Sequence, residues 1–444
     1  MADINFIYYL SCLLLLLSIC SIFLFKFDIM EPANIFLLTM TASSFFGALN
    51  AQRWSLSINY ITLIIVLGGC FSFFAGCFFS YYEFRKIPGQ ILHDTTISID
   101  NANKKIFILC IISVVLLGFS FKEVYSLALQ LGNTGGISTM IGTVRYPMER
   151  QEISFSRWMS YRSLFVQSVC YVCIYIFFEY FFKKRKLHIQ YLLPTLIYIP
   201  FTILTTGRMD ILFLLTYIVT VFAIFYLKEN HYSPHSKKII CLILVLSGSI
   251  FIGLFLLYGV FTGKVITEER TPFIIISHYM GLSFPAFDRF LSNIPVESFY
   301  IGSNTLTGIY NNLLSLGFPV SKPNIFLEFV EFEGIDTNVY SAFRRYIEDY
   351  GIVGMMSLLF TIGAIFSAIY NYIALRKVNK YIFIMYATYT WTLVLSFHDE
   401  KFLMGIINTN FIYHLLMYWI LFNVFDEGIV GRVKHGVQMF KEKK

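Results

Sequence analysis

The chain alternates between long apolar runs and short polar segments over most of its length. A membrane-spanning helix needs about 20 mostly apolar residues. The pattern predicts eleven such helices, at residues 5–25, 32–50, 59–81, 106–126, 161–182, 189–206, 209–227, 239–260, 351–373, 381–397 and 406–425. The run at 189–206 contains two prolines, which a membrane helix tolerates where neighbouring groups satisfy the freed carbonyls.

Two polar segments are much longer than the rest, at 127–160 and 261–350. The longer one reads as short amphipathic helices interrupted by proline and glycine, as in TPFIIISHYMGLSFPAFDRFL. Their apolar faces are expected to rest on the membrane surface or on the helix bundle. The chain therefore divides into an N-terminal bundle (1–260), a large outer loop (261–350) and three C-terminal spans with a basic tail (351–444).

Composition supports the same fold class. Hydrophobic residues make up 57% of the chain and charged residues 14%, whereas a soluble domain is about half apolar and a quarter charged. We expect an all-α polytopic membrane protein. The eight cysteines lie inside apolar runs, so none is placed to staple an exposed loop. No Walker loop, strand-linked GxGxxG or HExxH occurs, and nothing indicates nucleic-acid binding.

The distribution of lysine predicts the orientation. Cytoplasmic loops of membrane proteins carry an excess of Lys and Arg. With eleven spans, one side collects 16 Lys and 4 Arg, including KKRK at 183–186 and the C-terminal tail. That side is predicted to be the cytoplasm, with the N-terminus outside. The first apolar run is read as a retained anchor, since no basic segment precedes it.

The other side holds 4 Lys and 10 Arg, a bias that the orientation rule does not explain. The planar guanidinium grips phosphate and carboxylate groups through two parallel hydrogen bonds. An arginine-rich outer face therefore indicates an anionic ligand, with pyrophosphate or phosphate leading. Local pairing with the similar number of outer Asp and Glu residues is the alternative.

The densest charge cluster is TNVYSAFRRYIEDYG, Thr337 to Gly351, directly before a predicted span. Asp336 or Thr337 is expected to cap a short helix. On that helix one stripe carries Arg344 and Glu348, and the neighbouring stripe carries Arg345 and Asp349. Two intrahelical salt bridges would be worth only a few tenths of a kcal/mol each at an exposed site. Ionisable groups at the membrane instead favour a functional role.

Three further candidates lie on other outer segments. TTGRMD holds Arg208 in a tight turn between two spans, where it either binds a ligand or simply snorkels to the interface. Arg145 lies in the 127–160 segment. SFHDEKF places His398 and Asp399 in the short loop between the last two spans, which otherwise reads as a polar hairpin. A histidine can act as a base near neutral pH.

Together these segments predict one outer cavity. Arg208, Arg344, Arg345 and Arg145 would hold pyrophosphate, and a nearby acid or histidine would take a proton. No outer DxD or His pair at ligand spacing occurs, so neither a metal nor a cofactor is expected and arginine would neutralise the charge.

The segment TNVYSAFRRYIEDYG followed by a membrane helix resembles the motif of the O-antigen polymerases, the Wzy family, which read similarly to NVYT-F---Y-DFG at this place. The span layout, the large penultimate outer loop, TGR between close spans and the basic tail are also similar. The motif covers about fifteen residues and the layout most of the chain. Arg345 and Tyr350 depart from the family pattern.

The resemblance implies a GT-C-like fold and an enzyme of the bacterial inner membrane that works on the periplasmic face. It implies metal-independent transfer of a growing glycan from undecaprenyl pyrophosphate onto an incoming lipid-linked oligosaccharide repeat unit. The implied partners are these lipid-linked oligosaccharides, membrane lipid, and a chain-length regulator and flippase of the same pathway. By the family motif, Arg344, Asp349 and the arginine of TGR, Arg208, fall on functional positions.

The identity of the base stays open. A carboxylate locked against an arginine has a lowered pKa and accepts protons poorly, which counts against Glu348 and Asp349. His398 and Asp399 have no arginine partner in the sequence, although Lys401 is near. Asp349, from the family motif, therefore stands level with His398, and Glu348 and Asp399 follow.

Two other functions are compatible with the sequence. A lipid-linked oligosaccharide flippase or other transporter would show inverted repeats, charges within spans and short outer loops. Here the charges are peripheral and one outer loop has about ninety residues, which disfavours transport. An O-antigen ligase uses the same donor and is not separated from a polymerase by sequence physics.

Overall fold

The computed structural model describes residues 5–86, 102–149, 152–205, 208–261, 271–293, 301–320, 322–376 and 379–425. Within them, eight helices are long and apolar enough to cross a membrane, and two shorter apolar helices, Ile189–Leu204 and Thr409–Phe425, accompany them. The chain is therefore a mostly helical, multi-pass membrane protein, as predicted.

Seventeen α-helices occur among the described residues. They are α1 (Phe6–Leu24), α2 (Pro32–Leu49), α3 (Tyr60–Lys86), α4 (Ala102–Gln130), α5 (Ile137–Glu149), α6 (Arg157–Lys184), α7 (Leu193–Leu204), α8 (Arg208–Glu229), α9 (Pro234–Phe261), α10 (Pro272–Gly281), α11 (Ser283–Ser292), α12 (Thr307–Ser315), α13 (Phe343–Leu375), α14 (Lys380–Tyr389), α15 (Trp391–Val394), α16 (Phe402–Ile406) and α17 (Thr409–Phe425). A 3-10 turn, Ile189–Leu192, leads into α7. The end of the bundle at which α13 begins, which the lysine distribution predicts to face outwards, is called the outer end.

The prediction of one continuous helix over 381–397 is wrong, because α14 ends at Tyr389 and only the four-residue α15 follows. Three threonine hydroxyls around the break bind carbonyls of the preceding turn. Thr388 donates to Ile384, Thr390 to Tyr386 and Thr392 to Tyr389, at 2.7–2.9 Å. Such back-bonding competes with the helix ladder and bends helices.

The prediction of a purely helical outer loop is also wrong in one place. Strands β1 (Val330–Phe332) and β2 (Ile335–Thr337) form an antiparallel hairpin in which Phe332 faces Ile335. Gly334 in the two-residue turn has φ 71°, a conformation that hairpin turns assign to glycine. The three short helices α10, α11 and α12 are present in this loop as expected.

The central contact of the bundle is the crossing of α3 and α13. A Cβ built on Gly76 would collide with the carbonyl oxygen of Phe360, and one on Gly363 with that of Phe73. The Cys77 thiol donates to the Gly363 carbonyl at 3.2 Å. Small residues allow backbones in membrane bundles to approach this closely. The crossing therefore fixes where α13 stands in the bundle.

The outer end of α13 is a buried helical segment that precedes the membrane run. The helix begins at Phe343, and the backbone kinks at Gly351 (φ 68°, ψ −179°). The prediction that Asp336 or Thr337 caps this helix is wrong, because both residues belong to β2. The start is instead held by the Ala342 N–H, which donates to the Ser396 carbonyl at 2.9 Å. The loop before α16 and the start of α13 are thus direct neighbours.

Candidate functional site

Arg344 occupies an aromatic and acidic box at the start of α13. Its guanidinium carbon lies 4.1 Å from the centroid of the Tyr340 ring and 4.5 Å from that of Phe290. Nε donates to Glu348 at 3.0 Å, and Nη2 pairs with Glu328 at 2.7 Å. The Arg344–Glu348 salt bridge that the local-pairing alternative expects is therefore present. Cation–π contacts and charge-assisted hydrogen bonds together hold the guanidinium in one orientation.

One nitrogen of the Arg344 guanidinium, Nη1, takes no part in these contacts. Its Nη1 is buried and has no hydrogen-bond partner among the described residues. The Arg344 side chain is only 3% exposed, whereas its partner Glu328 is 57% exposed. Burial opposes the charge of Glu328, but Arg344 outweighs it and lowers the pKa of that carboxyl. Glu328 is therefore ionised at neutral pH and forms the solvent-facing side of the box.

Arg345 is fully buried and directs every N–H to the protein. Nε and Nη2 bind the two carboxylate oxygens of Asp399 at 2.8 and 3.2 Å. Nη1 donates to the carbonyls of Asn304 and Asn324, and Nη2 also donates to that of Ile325. All five guanidinium hydrogens are accounted for. Arg345 therefore joins the loop before α16 to two segments of the outer loop.

The pairing of Arg345 differs from the sequence interpretation. The local-pairing alternative gives Arg345 a salt bridge with Asp349, four residues ahead on the same helix, and the sequence offers Asp399 no nearby arginine partner. Burial opposes the charge of Asp399, but Lys401 and Arg345 outweigh it and hold its pKa well below the usual range. Lys401 Nζ lies 3.1 Å from Asp399 Oδ2. Arg345 therefore pairs with Asp399 instead of Asp349, because Asp399 offers a bidentate partner.

Asp349 instead anchors the outer loop. Oδ1 accepts hydrogen bonds from the backbone N–H and side-chain amide of Asn304, each at 3.1 Å. Oδ2 accepts from the Thr305 N–H and hydroxyl at 2.8 and 2.7 Å. A carboxylate with this many donors is a strong structural tie, because its lone pairs are already engaged. The geometry assigns Asp349 to positioning the segment before α12.

His398 lies in the loop before α16 and lines a cavity between α2, α8, α9 and α10. Nδ1 of His398 is buried and has no hydrogen-bond partner among the described residues. Burial, with Lys401 nearby, lowers the pKa of His398 to about 4, so the ring is neutral at pH 7. Glu400 accepts hydrogen bonds from the Leu403 and Met404 N–H groups and from the Tyr346 hydroxyl. These contacts hold the loop against α13 while the His398 ring faces the cavity.

The remaining two predicted arginines lie elsewhere at this end. Arg145 is 3% exposed in α5, which packs with α4, α6 and the end of α7 in a second small core. Arg208 is the first residue of α8; its side chain lies outside the described residues. Met209, the next residue, lines the same cavity as His398. The structure thus brings the start of α8 close to His398, and Arg345 into contact with Asp399 of the 395–400 loop.

Unsatisfied buried polar atoms indicate where a ligand would bind. Nine such side-chain atoms occur among the described residues, and four lie towards the outer end: Ser277 Oγ, Ser341 Oγ, Arg344 Nη1 and His398 Nδ1. Buried polar groups are normally hydrogen-bonded, so each exception calls for an explanation. These four lie on α10, at or just before the start of α13, and on the loop before α16, which are the segments we take as the candidate site.

Sequence reasoning missed the residues that complete the arginine environment. Glu328 and Phe290 come from distant parts of the outer loop, and no local pattern marks them as neighbours of Arg344. The sequence did indicate that Tyr340 is a neighbour of Arg344, because it lies four residues before Arg344. Asn304 and Thr305 were also indicated, since Asn and Thr commonly bind backbone and carboxylate groups at turns.

Metal chemistry has no evident protein ligands in the described part of the chain. Residues 5–86, 102–149, 152–205, 208–261, 271–293, 301–320, 322–376 and 379–425 contain no group of three or more His, Cys, Asp or Glu side chains that could hold a metal ion. The prediction of a metal-independent reaction stays a prediction.

Comparisons with known proteins identify no relative. No model of a known protein family matches the chain. No curated protein matches it, and no solved structure does.

Proposed function

We propose that this chain polymerises oligosaccharide repeat units carried on undecaprenyl pyrophosphate, at the periplasmic face of a bacterial inner membrane. One observation carries the proposal. Arg344 is held rigidly between two aromatic rings and two carboxylates, yet its buried Nη1 lacks a partner among the described residues. A preorganised guanidinium donor suits an oxygen on which negative charge develops.

The reaction assigns separate tasks to the arginine and the base. A sugar hydroxyl of the incoming unit attacks the anomeric carbon of the growing chain. The bond from that carbon to the pyrophosphate oxygen breaks, and the electron pair leaves with the lipid pyrophosphate. Arg344 binds this leaving group through Nη1. The proton of the attacking hydroxyl passes to a base.

His398 is the base that the geometry favours. Its Nδ1 is unpartnered among the described residues, whereas Asp399 is paired with Arg345 and Asp349 is saturated by donors. A pKa of about 4 makes the free protein's histidine a weak base. A pyrophosphate bound nearby would favour the charged imidazolium and raise that pKa. The histidine would then become basic only when the donor is in place.

Arg345 enters this proposal as a positioning residue. Its five donors hold the 395–400 loop against the outer loop, which keeps His398 and Arg344 in fixed relation. Asp349 acts in the same way through Asn304 and Thr305. Arg208 and Arg145 remain proposed contacts for the anionic donor.

The proposal is tested with purified protein in nanodiscs and lipid-linked repeat units extracted from a strain that lacks it. A ladder of longer lipid-linked glycans is expected, with release of undecaprenyl pyrophosphate. In the deletion strain, single repeat units on lipid A core indicate a polymerase, unattached long chains indicate a ligase, and a cytoplasmic backlog indicates a flippase. Either of the last two outcomes contradicts the proposal.

A further inference from the structure

A long apolar cavity of about 460 Å³ lies between α2, α8, α9 and α10. On α2 its lining runs from Ile35 to Phe46, and on α8 from Met209 to Thr220. Each stretch advances eleven residues, or about 16 Å at 1.5 Å per residue. Ile29 and Met30 extend the lining beyond α2 towards the end opposite His398. The cavity therefore crosses more than half of a hydrocarbon core that is about 30 Å thick.

The walls of this cavity are hydrocarbon in character. Its lining contains a few hydroxyls, but most of them are turned back onto their own helices. Four of these hydroxyls donate to a carbonyl three or four residues earlier, at 2.7–2.9 Å. They belong to Thr39, Thr216, Ser247 and Thr390. Such hydroxyls are already satisfied and present mainly carbon to the cavity. A sugar or a phosphate would find too few partners along this length, whereas a hydrocarbon chain needs none.

The outer end of the cavity has a different character. His398 lines it there, together with Tyr279 and Met280 of α10. Helix α10 is seated tightly on α2, because a Cβ on Gly47 would lie 2.7 Å from the Gly281 carbonyl oxygen. The His398 loop is tied to the start of α13 by the Ala342–Ser396 hydrogen bond. A chain in the cavity would therefore carry its polar end to the arginine-bearing end of α13.

One wall of the cavity faces the membrane. Helix α9 lies along the outside of the bundle, and only 6% of the residues in its apolar window are buried. Gly248 and Ile252 of α9 line the cavity and are themselves exposed. A lipid chain could enter sideways beside α9, without passing through the outer loop.

We infer that this cavity holds the part of the polyprenyl chain nearest the head group of one lipid-linked substrate, with its pyrophosphate directed to His398 and Arg344. The inference rests on the proposed function for the identity of the head group. The cavity itself supports the occupant through its length, its apolar walls, its opening to the membrane and its single polar end.

Photolabelling tests the inference without turnover. The full chain in nanodiscs receives undecaprenyl phosphate that carries a diazirine in its tail, and the labelled residues are mapped by mass spectrometry. Labels are expected on the cavity-facing residues of α2, α8 and α9. Excess unlabelled undecaprenyl pyrophosphate should reduce them at least tenfold. A diazirine-bearing phosphatidylglycerol at the same mole fraction should label the cavity far less.

Two glycines of α9 offer a matched pair of variants. A Cβ at either Gly248 or Gly253 meets no atom within 4 Å, but only Gly248 lines the cavity. Gly248→Phe should fill the cavity and lower polyprenyl labelling at least tenfold, and Gly253→Phe should leave it unchanged. Both variants should elute as the wild type does on size exclusion. The wild-type label map serves as a second readout that needs no variant.

The possible outcomes separate this inference from the proposed function. Labelling spread over all lipid-facing helices, equal labelling by phosphatidylglycerol, or labelling insensitive to Gly248→Phe would overturn the cavity assignment. Cavity labelling by a wild type that makes no polymer would keep the assignment and reject the polymerase. Polymer formation by a wild type whose labels lie outside the cavity would keep the polymerase and reject the cavity assignment.

Discussion

Replacing Arg345 with methionine removes a fully buried guanidinium whose five hydrogens all bind protein groups. The change leaves the buried Asp399 carboxylate with Lys401 as its one remaining cationic partner among the described residues, beside the Glu400 N–H that also donates to it. It also removes donors from the carbonyls of Asn304, Asn324 and Ile325. Breaking a buried ion pair from one side costs about 3–5 kcal/mol. We expect Arg345→Met to lower the free energy of unfolding by that amount.

Arg345→Lys provides a graded version of the same change. Lysine keeps the charge but has three donors in place of five, so at least two acceptors lose their partners. At about 1 kcal/mol for each lost hydrogen bond, the expected cost is about 2 kcal/mol. The double variant Arg345→Met, Asp399→Leu removes both charges and should recover about 3 kcal/mol relative to the sum of the single changes.

The assay is equilibrium unfolding in mixed micelles titrated with denaturing detergent, with binding of undecaprenyl pyrophosphate measured on the same samples. Arg289→Met is the control, because Arg289 is exposed and, within the described residues, its guanidinium stacks on Phe332 and binds the Glu331 carbonyl without an ion pair. It should cost less than about 1 kcal/mol. Arg345→Lys with wild-type stability and lost lipid binding would show that Arg345 serves the ligand and would refute the structural role.

Four other expectations follow from single sites. Arg344→Lys should lower the polymerisation rate about a hundredfold, or roughly 3 kcal/mol, because an ammonium does not reproduce the fork; a wild-type rate would favour a purely structural arginine. Gly351→Ala should cost about 1–3 kcal/mol in unfolding, since φ 68° with ψ −179° is essentially restricted to glycine. The pKa of His398 is lowered from 6.5 to about 4 in the folded protein, so as the pH falls the unfolded chain binds the proton first. The contribution of His398 to the free energy of unfolding is therefore complete above pH 6.5 and is lost as the pH drops to 4, by about 3 kcal/mol. His398→Gln should flatten that part of the pH profile. In a cysteine-free background, Glu331→Cys should react with an impermeant thiol reagent in spheroplasts and His231→Cys should not; the opposite pattern would reverse the orientation.

The two adjacent arginines of α13 serve different purposes although their sequence contexts look alike. Arg345 is fully buried and all its donors bind protein groups, whereas Arg344 has an Nη1 without a partner in the described part of the chain and an exposed carboxylate partner, Glu328. The second arginine is also where the motif departs from the family that it resembles. Its contacts explain why an arginine at that position is useful to the fold.

The hydrophobic pattern alone determined the membrane-embedded helices and the existence of two long polar segments. Apolar length is a local property, and every spanning helix must satisfy its own backbone, so a run of about 20 apolar residues has few alternatives. The pattern also placed the charged motifs at helix ends. The hydrophobic pattern could not predict the helix break after Tyr389. Whether a threonine hydroxyl bonds to the helix backbone and bends the helix, or points away from it, depends on the side-chain rotamer.

Only the tertiary structure decided how the charged groups pair. Arg345 had Asp349 four residues away, yet it binds Asp399, 54 residues away, and Asp349 binds Asn304, 45 residues away. The physical reason is burial. At a buried position such as that of Arg345, an unused guanidinium hydrogen is costly, so the arginine adopts the arrangement that uses all five. That arrangement depends on carbonyl groups whose positions are set by the whole fold. The cavity beside His398 is also non-local, since it is the space left between α2 and three consecutive helices, α8, α9 and α10, that begin more than 150 residues later in the chain.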